Sequence, residues 1–574
     1  SLLFWAWLLG LVGAGALFTW RKKTGKEYTI AYGVLAAVTG FFALLMVFVP
    51  EANPFRMVEG AIPADGNGLN PMLQDPGMII HPPLLFVGYA GYTVPFALLI
   101  GVLGVGRTDN HWLGDIRRWL LFAWLFMTAG IVLGAWWAYV ELGWGGYWAW
   151  DPVENASLLP WLTSTALLHS MIGQQHRGMF KRWNAFLIAA SFILCIFGTY
   201  LTRSGVIASV HAYPESLIGQ LFLIFLILLV LSTAVLIGLR WRALRPEHRI
   251  DGYISREGAF LAGNILLTAM MLITLVGTIF PILSAPFGET ITLKPPFYNK
   301  WVAPLGLILA FLMAHGPVLA FGKSAAGKIA RDMMWPGVGA ILVTIAAGAL
   351  WATGRISLGV GENATGQAVF WVLLCTFIAT LGTLAVIVGF GRVVTARHRS
   401  TGESWPMAAI RLIDADKRRY GAQLAHLGVM MIVIGVATSS LFDQEKNISL
   451  VVGEPQEVGE YVLELRSVEQ LRGPNFTALQ ATVRLTPVDG GETLVLLPQK
   501  RVYDKWQRQA NTEVALHTTL REDIYLILGG ASPDLTRAGL KVLLSPLVFW
   551  IWAGGILVTF AGVFCMLPRF LPHA

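Results

Sequence analysis

The sequence predicts an all-α polytopic membrane protein with a small β domain inserted before its last helix, on three observations. The 574 residues are 55% hydrophobic and only 13% charged, with mean hydropathy +0.61, too apolar for a soluble chain of this size. Apolar runs of about 20 residues, enough to cross a bilayer, recur from end to end. Lys and Arg gather at alternate junctions between these runs, the asymmetry that orients membrane helices.

Thirteen runs qualify, near 2–20, 29–50, 83–105, 118–141, 157–175, 183–202, 216–240, 257–281, 301–321, 335–353, 369–391, 420–440 and 546–567. The cations at 21–26, 107–118, 177–182, 240–256, 323–331, 392–419 and 569 make up 26 of the 42 and fall on one side, the inner one. The short loops opposite hold only Arg56, Arg203, Lys294, Lys300 and Arg355, so residue 1 is outside and the C-terminus inside. The net charge of +8 therefore reports orientation in a lipid bilayer, and nucleic acid is excluded as a partner. The chain starts inside an apolar run, Ser1 to Trp20, without a basic lead-in, as expected of a truncated beginning and not of a cleavable signal. Cys195, Cys375 and Cys565 lie far apart in apolar runs and read as buried thiols, with no disulfide framework. Without a C-x-x-C-H the chain does not carry a covalent c-type haem.

Three segments follow: a helical bundle over 1–440, an outer β domain over 441–545, and a final helix with its inner tail over 546–574. In the insert, Tyr461-Val462-Leu463-Glu464-Leu465 and Ala481-Thr482-Val483-Arg484-Leu485 alternate with period two, and Asp489-Gly490-Gly491 marks a turn. It holds 11 of the 16 outer cations, either a solvated surface or a face for an acidic partner. Gly322 to Lys328 fits G-x-x-x-x-G-K, but Ile329 follows and a membrane helix precedes it, so no phosphate loop is expected.

The outer loop around 142–156 is the richest in chemistry. Six of the 22 tryptophans lie between Trp136 and Trp161, and the core reads Trp144-Gly145-Gly146-Tyr147-Trp148-Ala149-Trp150-Asp151-Pro152-Val153-Glu154-Asn155. Trp144, Trp148 and Trp150, rimmed by Asp151, make an aromatic platform suited to a planar apolar ligand with charged or metal-bound parts. Asp151 and Glu154 are expected to cap a helix beginning near Ser157.

Topology sorts the eleven histidines by depth. His81, in His81-Pro82-Pro83 at the end of the outer loop 51–82, and His211, in the outer loop 203–215, lie level with the platform and could approach a haem iron from opposite sides. His169, His315 and His426 lie within spans, about 18, 21 and 21 Å below their outer ends at helical rise. A buried ionisable group at that depth is functional by default, and two neutral imidazoles from different helices would hold a low-spin b-type haem. Depth alone does not choose two of the three, and His315, before Gly316-Pro317, has backbone groups to bond instead.

The W-G-x-x-W-x-W-D-P-V-E-N run, with Gly68-Leu69-Asn70-Pro71, Gln74-Asp75-Pro76 and His81-Pro82-Pro83 upstream, resembles the WWD-domain haem-handling proteins, and among them the haem lyases of System I cytochrome c maturation. The resemblance runs the whole chain and implies two further spans before Ser1, fifteen in all. It implies that His81 and His211 hold the haem being delivered, as transferred substrate, beside the platform, and that His169 and His426 bind a resident haem b. Arg203 is a weaker candidate, as partner to a haem propionate or as a cation at a helix C-terminus. The implied reaction joins two cysteine thiols of an apocytochrome C-x-x-C-H segment to the haem vinyls. Haem would arrive on the chaperone CcmE, apocytochrome c on CcmH and CcmI, and quinol would supply electrons through the resident haem. The implied location is a bacterial inner membrane, with WWD loop and β domain in the periplasm. The rivals are a haem exporter of the same group, which the β domain disfavours; a quinol-oxidising cytochrome b, which needs neither His81, His211 nor platform; and a transporter, for which paired intramembrane carboxylates are missing.

Overall fold

Backbone inside a bilayer must satisfy its own hydrogen bonds, which makes helices of long apolar runs. Each of the thirteen runs is helical in the computed structural model, which describes residues 1–57, 60, 65–66, 68–207, 209, 213, 215–353, 366–506 and 510–571. The helices are α1 (Leu2–Trp20), α2 (Lys26–Phe48), α3 (Pro76–Val105), α4 (Leu113–Glu141), α5 (Pro152–Arg177), α6 (Lys181–Ser204), α7 (Leu217–Leu239), α8 (Arg256–Ser284), α9 (Pro295–His315), α10 (Ala326–Ala352), α11 (Gly366–Thr401), the short α12 (Trp405–Ala415), α13 (Lys417–Phe442) and α14 (Val548–Met566). Among the described residues twelve are long and apolar enough to cross a membrane. The thirteenth expected span, α5, has the length, but Asn155, Ser157, Thr163, Ser164, Ser170 and Gln174 lower its hydropathy. All six are buried, because α5 packs among α4, α6 and α8 instead of facing lipid. Of the cysteines only Cys195 is buried; Cys375 and Cys565 are half exposed, which corrects the expectation of three buried thiols.

Two boundaries move. α3 begins at Pro76, seven residues before the expected start, because Asp75 accepts a hydrogen bond from Gly77 N at 2.6 Å and Pro76 suits the first helical position. His81 therefore stands on a helix and not in a loop. α5 begins at Pro152 and not near Ser157, since Asp151 and Glu154 form a full capping box.

α3 and α6 are the most enclosed spans, with α1, α2, α4, α5 and α7 packed about them. The C-terminal helices meet this group through α8 on α9 and α14 on α4. Within them, α13 seats on α14 through glycines spaced by seven: Gly421 meets Ala561 and Cys565, Gly428 meets Gly554, and Gly435 meets Ile551. A Cβ at 428 would stand 2.6 Å from the Gly554 carbonyl oxygen, so the backbones touch as in small-residue membrane interfaces. Position 426 lies two residues from 428, about 200° around the helix, which turns His426 away from α14. The expected loops also sort to two ends. At the cation-rich end Arg107 pairs with Glu27 at 3.1 Å, Arg177 with Glu257 at 2.9 Å and Lys181 with Glu247 at 2.6 Å.

The insert is a two-sheet antiparallel sandwich. One sheet has the order β1 (Gln444–Val451), β10 (Arg537–Pro546), β9 (Glu522–Ala531), β8 (Ala515–Thr518). The other runs β2 (Pro455–Val458), β3 (Tyr461–Arg472), β4 (Phe476–Pro487), β6 (Gln499–Tyr503), β7 (Ala510–Glu513), with β5 (Leu494–Leu496) also on β4 beyond the expected turn at Gly490. Side chains alternate faces, and here both faces are used. Ile524, Leu526, Leu528, Leu540, Val542 and Leu544 fill the sandwich core. Tyr525, Ile527 and Leu543 between them pack on Tyr139 of α4 and Val548 of α14. Tyr525 Oη donates to the Tyr139 carbonyl at 3.0 Å, and Tyr139 Oη donates to Asp523 Oδ2 at 3.1 Å.

Two outcomes follow from this packing. Gly428→Ala should destabilise the folded chain by about 1–3 kcal/mol through overpacking, read as a lower melting midpoint in detergent, whereas Gly389→Ala, with open space at its Cβ, should not; equal effects would contradict the seating of α13. Burial raises the Asp523 carboxyl to about 6, against about 3.9 in an unfolded chain. The folded state thus binds that proton more tightly, and the associated stability is complete below about pH 4 and lost as pH rises through about 6. Asp523→Asn should leave the melting midpoint at pH 4 unchanged and raise it at pH 8; no gain at pH 8 would contradict a carboxylate held at a cost.

Candidate functional site

The WWD loop is shaped by the β domain beneath it and by α9 beside it. Gly143 and Gly145 take φ of 67° and 84°, and a Cβ on Gly145 would stand 2.5 Å from Leu543 of β10. Tyr147 Oη bonds Ser439 Oγ of α13 at 3.0 Å. Trp150 is left-handed, with φ 56°, a strained setting for a bulky residue that persists only when its surroundings over-determine it. They do: its Nε1 donates to Asn299 Oδ1 at 2.8 Å, its carbonyl accepts from Asn155 Nδ2 at 3.0 Å, and its ring stacks on Tyr298 at 4.8 Å and 6°.

Trp148 meets Trp150 edge-on at 6.0 Å and 90°, so the rings make a cornered wall and not one flat platform. Trp144 is 39% exposed at the loop tip. Asp151 works as the helix cap: its Oδ2 accepts from Val153 N at 3.0 Å and Ser209 Oγ at 2.7 Å, while Glu154 Oε2 accepts from Ala149 N and Asp151 N at 2.9 and 3.1 Å. These are the expected capping roles.

His81 leans on α4. Its Nδ1 is 2.7 Å from the Gly130 carbonyl, and a Cβ at 134 would overlap its ring, so the G-x-x-x-G of Gly130 and Gly134 makes its seat. A carbonyl only accepts, so the proton of this contact is on Nδ1. His211 lies outside the described residues. Arg203 stands in the last turn of α6 with its guanidinium 3.8 Å over the Tyr213 ring, the helix-end setting weighed against a propionate role.

The inner site is a pair of imidazoles. His169 of α5 and His426 of α13 stand eight and nine residues from the inner ends of their helices, about 12 and 14 Å. Their ring centroids are 6.2 Å apart and their planes 11° from parallel. His169 Nδ1 donates to the Thr165 carbonyl at 2.8 Å, which leaves its Nε2 free to ligate. Two metal–imidazole bonds of about 2 Å, with about 1 Å from each nitrogen to its ring centre, would separate axial rings by about 6 Å; the observed spacing fits an iron held between them. Among the described residues no three His, Cys, Asp or Glu side chains converge as a bare ion would need. His315 bonds Phe311 O through Nδ1 at 2.9 Å and belongs to a helix end. Trp124 Nε1 donates to Thr165 Oγ1 at 2.8 Å, Trp161 Nε1 to Thr128 Oγ1 at 2.9 Å, and the Phe260 ring lies 6.1 Å from His169.

Sequence reasoning missed Tyr298, Asn299, Thr165 and Phe260. Only Thr165 carried a signal, as the residue four before a buried histidine. Tyr298 and Asn299 reach Trp150 across about 150 residues, where no local pattern records them.

Comparison with known proteins agrees with this architecture. Residues 1–207 match the family described as cytochrome C assembly protein, and residues 441–546 the CcmF C-terminal beta-sandwich. The cytochrome c-type biogenesis protein CcmF of Haemophilus influenzae is 33% identical over 99% of this chain and 84% of its own length. CcmF of Pseudomonas aeruginosa is 35% identical over 99% and 82%, and that of Escherichia coli 34% over 99% and 83%. A solved structure of cytochrome c haem lyase CcmF superposes with TM-score 0.77 at 28% identity, covering 99% of this chain and 82% of that one. With a helical bundle, WWD loop and β-sandwich matched along essentially all of its length, the chain belongs to the CcmF family of cytochrome c biogenesis proteins.

Proposed function

We propose that this multi-pass membrane protein is a cytochrome c haem lyase holding a resident b-type haem between His169 and His426, and presenting a second haem, its substrate, at the WWD loop. The observation that carries the reading is the spacing of the two imidazoles, 6.2 Å between near-parallel rings. When bound, that haem supplies a one-electron carrier in the inner half of the membrane, fed by quinol.

The chain's own groups orient and exclude. Thr165 holds the His169 tautomer, and the glycine seat of α13 aims His426 at it. The Gly130 carbonyl orients the His81 ring; His81 and His211 are the residues that would hold the incoming haem. Trp150, braced by Tyr298 and Asn299, and Trp148 at right angles to it offer a face and an edge to the macrocycle.

Each thioether forms by addition: the cysteine sulfur bonds one vinyl carbon, the thiol proton ends on the other, and nothing leaves. No protein nucleophile is required, which agrees with buried or half-exposed cysteines far from the loop. The haem chaperone CcmE, and CcmH and CcmI with apocytochrome c, are the proposed suppliers; the membrane is the bacterial inner one, with loop and sandwich on the periplasmic side. The sandwich built against the WWD loop favours this reading over an exporter.

In the detergent-purified chain, a reduced-minus-oxidised spectrum should show a low-spin b-type signal that His169→Ala or His426→Ala abolishes. His81→Ala should keep that signal and reduce holocytochrome c yield at least tenfold in cells. A wild-type chain without haem, or His81→Ala cells with normal cytochrome c, would contradict the reading.

A further inference from the structure

Four arginines lie in two neighbouring pairs at the cation-rich end of the bundle that also holds the imidazole pair. Arg117 of α4 lies within electrostatic range of Arg418 of α13, and Arg256 of α8 within range of Arg419. Arg117 and Arg256 are half buried, and Arg418 and Arg419 are exposed. Like charges so placed repel unless an anion joins them. Lys23, Arg107, Arg177, Lys181 and Lys417 on the same inner side each hold a carboxylate. Among the described residues none of the four arginines forms an ion pair. Arg117 Nη1 donates to Gln175 Oε1 at 3.0 Å and Arg256 Nε to the Leu319 carbonyl at 3.1 Å, both neutral acceptors. Of the acids in electrostatic range, Asp416 caps α13 by accepting from Arg419 N at 3.2 Å, and Glu257 is paired with Arg177 at 2.9 Å.

Three of the four, Arg117, Arg256 and Arg419, share a helix face with a residue of the imidazole site. Arg419 precedes His426 by seven residues, two turns or about 10 Å along the helix. Arg256 precedes Phe260 by four, and that ring is 6.1 Å from His169. Arg117 precedes Trp124 by seven, and Trp124 Nε1 bonds the side chain of Thr165, whose carbonyl holds His169. Three helices thus carry arginines one or two turns from the imidazole site on its cation-rich side, with the Arg256 guanidinium also 4.8 Å over the Phe321 ring. A haem carries two carboxylates on one edge, and planar guanidiniums match carboxylates two bonds at a time. Carboxylates at that depth are costly unless paired.

We infer that Arg117, Arg256, Arg418 and Arg419 form a propionate clamp that fixes the haem between His169 and His426 with its carboxylate edge toward the inner face. The inference rests on the resident-haem reading. It makes the four arginines positioning residues whose charge disfavours ferric iron and so raises the potential of the haem. Phospholipid phosphates share the anionic chemistry and are distinguished by the test.

Arg117→Gln, Arg256→Gln and Arg419→Gln are compared with Arg118→Gln, exposed one residue away, in the purified full chain. The expected result is an unchanged low-spin band position, which shows the fold and both ligands intact. At a fixed poise the ferrous-to-ferric ratio should fall three- to tenfold in the three variants, tenfold being about 59 mV for one electron, and Arg256→Lys should restore most of it. Arg118→Gln should match wild type. Haem retained at unchanged potential, with bound anionic phospholipid lost instead, would assign the arginines to headgroups and overturn the clamp. A wild-type chain that holds no haem would overturn the reading beneath it, an outcome distinct from any behaviour of the arginine variants.

Discussion

Two neutral imidazoles facing each other inside a membrane are the constraint on which the rest of this architecture turns. His169 and His426 each have the other across from them, at the separation that axial ligands of one iron require. Keeping them there demands helices that cannot slide. α13 is locked on α14 by backbone contact at Gly428 and Gly554, and α5 is locked at its outer end by the Asp151 capping box and along its length by buried polar bonds to α4 and α6. The low hydropathy of α5 is the consequence: a helix that packs on three neighbours does not need to please lipid.

The outer end is organised by a second coupling, between the sandwich and the WWD loop. β9 and β10 present apolar side chains on both faces, one to the sandwich core and one to α4 and α14, so the β domain forms the floor of the loop. Gly145 is small because Leu543 lies against it, and Trp150 is held in a left-handed backbone by bonds from α5 and α9. The loop therefore joins the sandwich with both halves of the helical bundle, and a change in any of the three would move Trp150.

Much of this was legible in the sequence because its causes are local. Run length and cation asymmetry located the spans, period-two alternation located the sandwich, and Asp151 with Glu154 announced a cap. The departures are also local: the third run is expected from about 83, yet Asp75-Pro76 supplies an earlier start, and the cap is expected near Ser157 although Pro152 already sits at the first turn. What stayed hidden depended on which helices become neighbours. Depth places three histidines at one level, and beyond the family resemblance it is the packing of α5 and α13 that separates His169 and His426 from His315; the stacking of Tyr298 on Trp150 is invisible to any window of sequence.

The central claim, an iron between two nearly parallel imidazoles, is tested most directly by low-temperature electron paramagnetic resonance of the oxidised, detergent-purified chain. Ligand planes 11° apart should give a rhombic low-spin ferric signal. A strongly axial low-spin signal, which perpendicular imidazoles produce, or the absence of any low-spin haem, would contradict it.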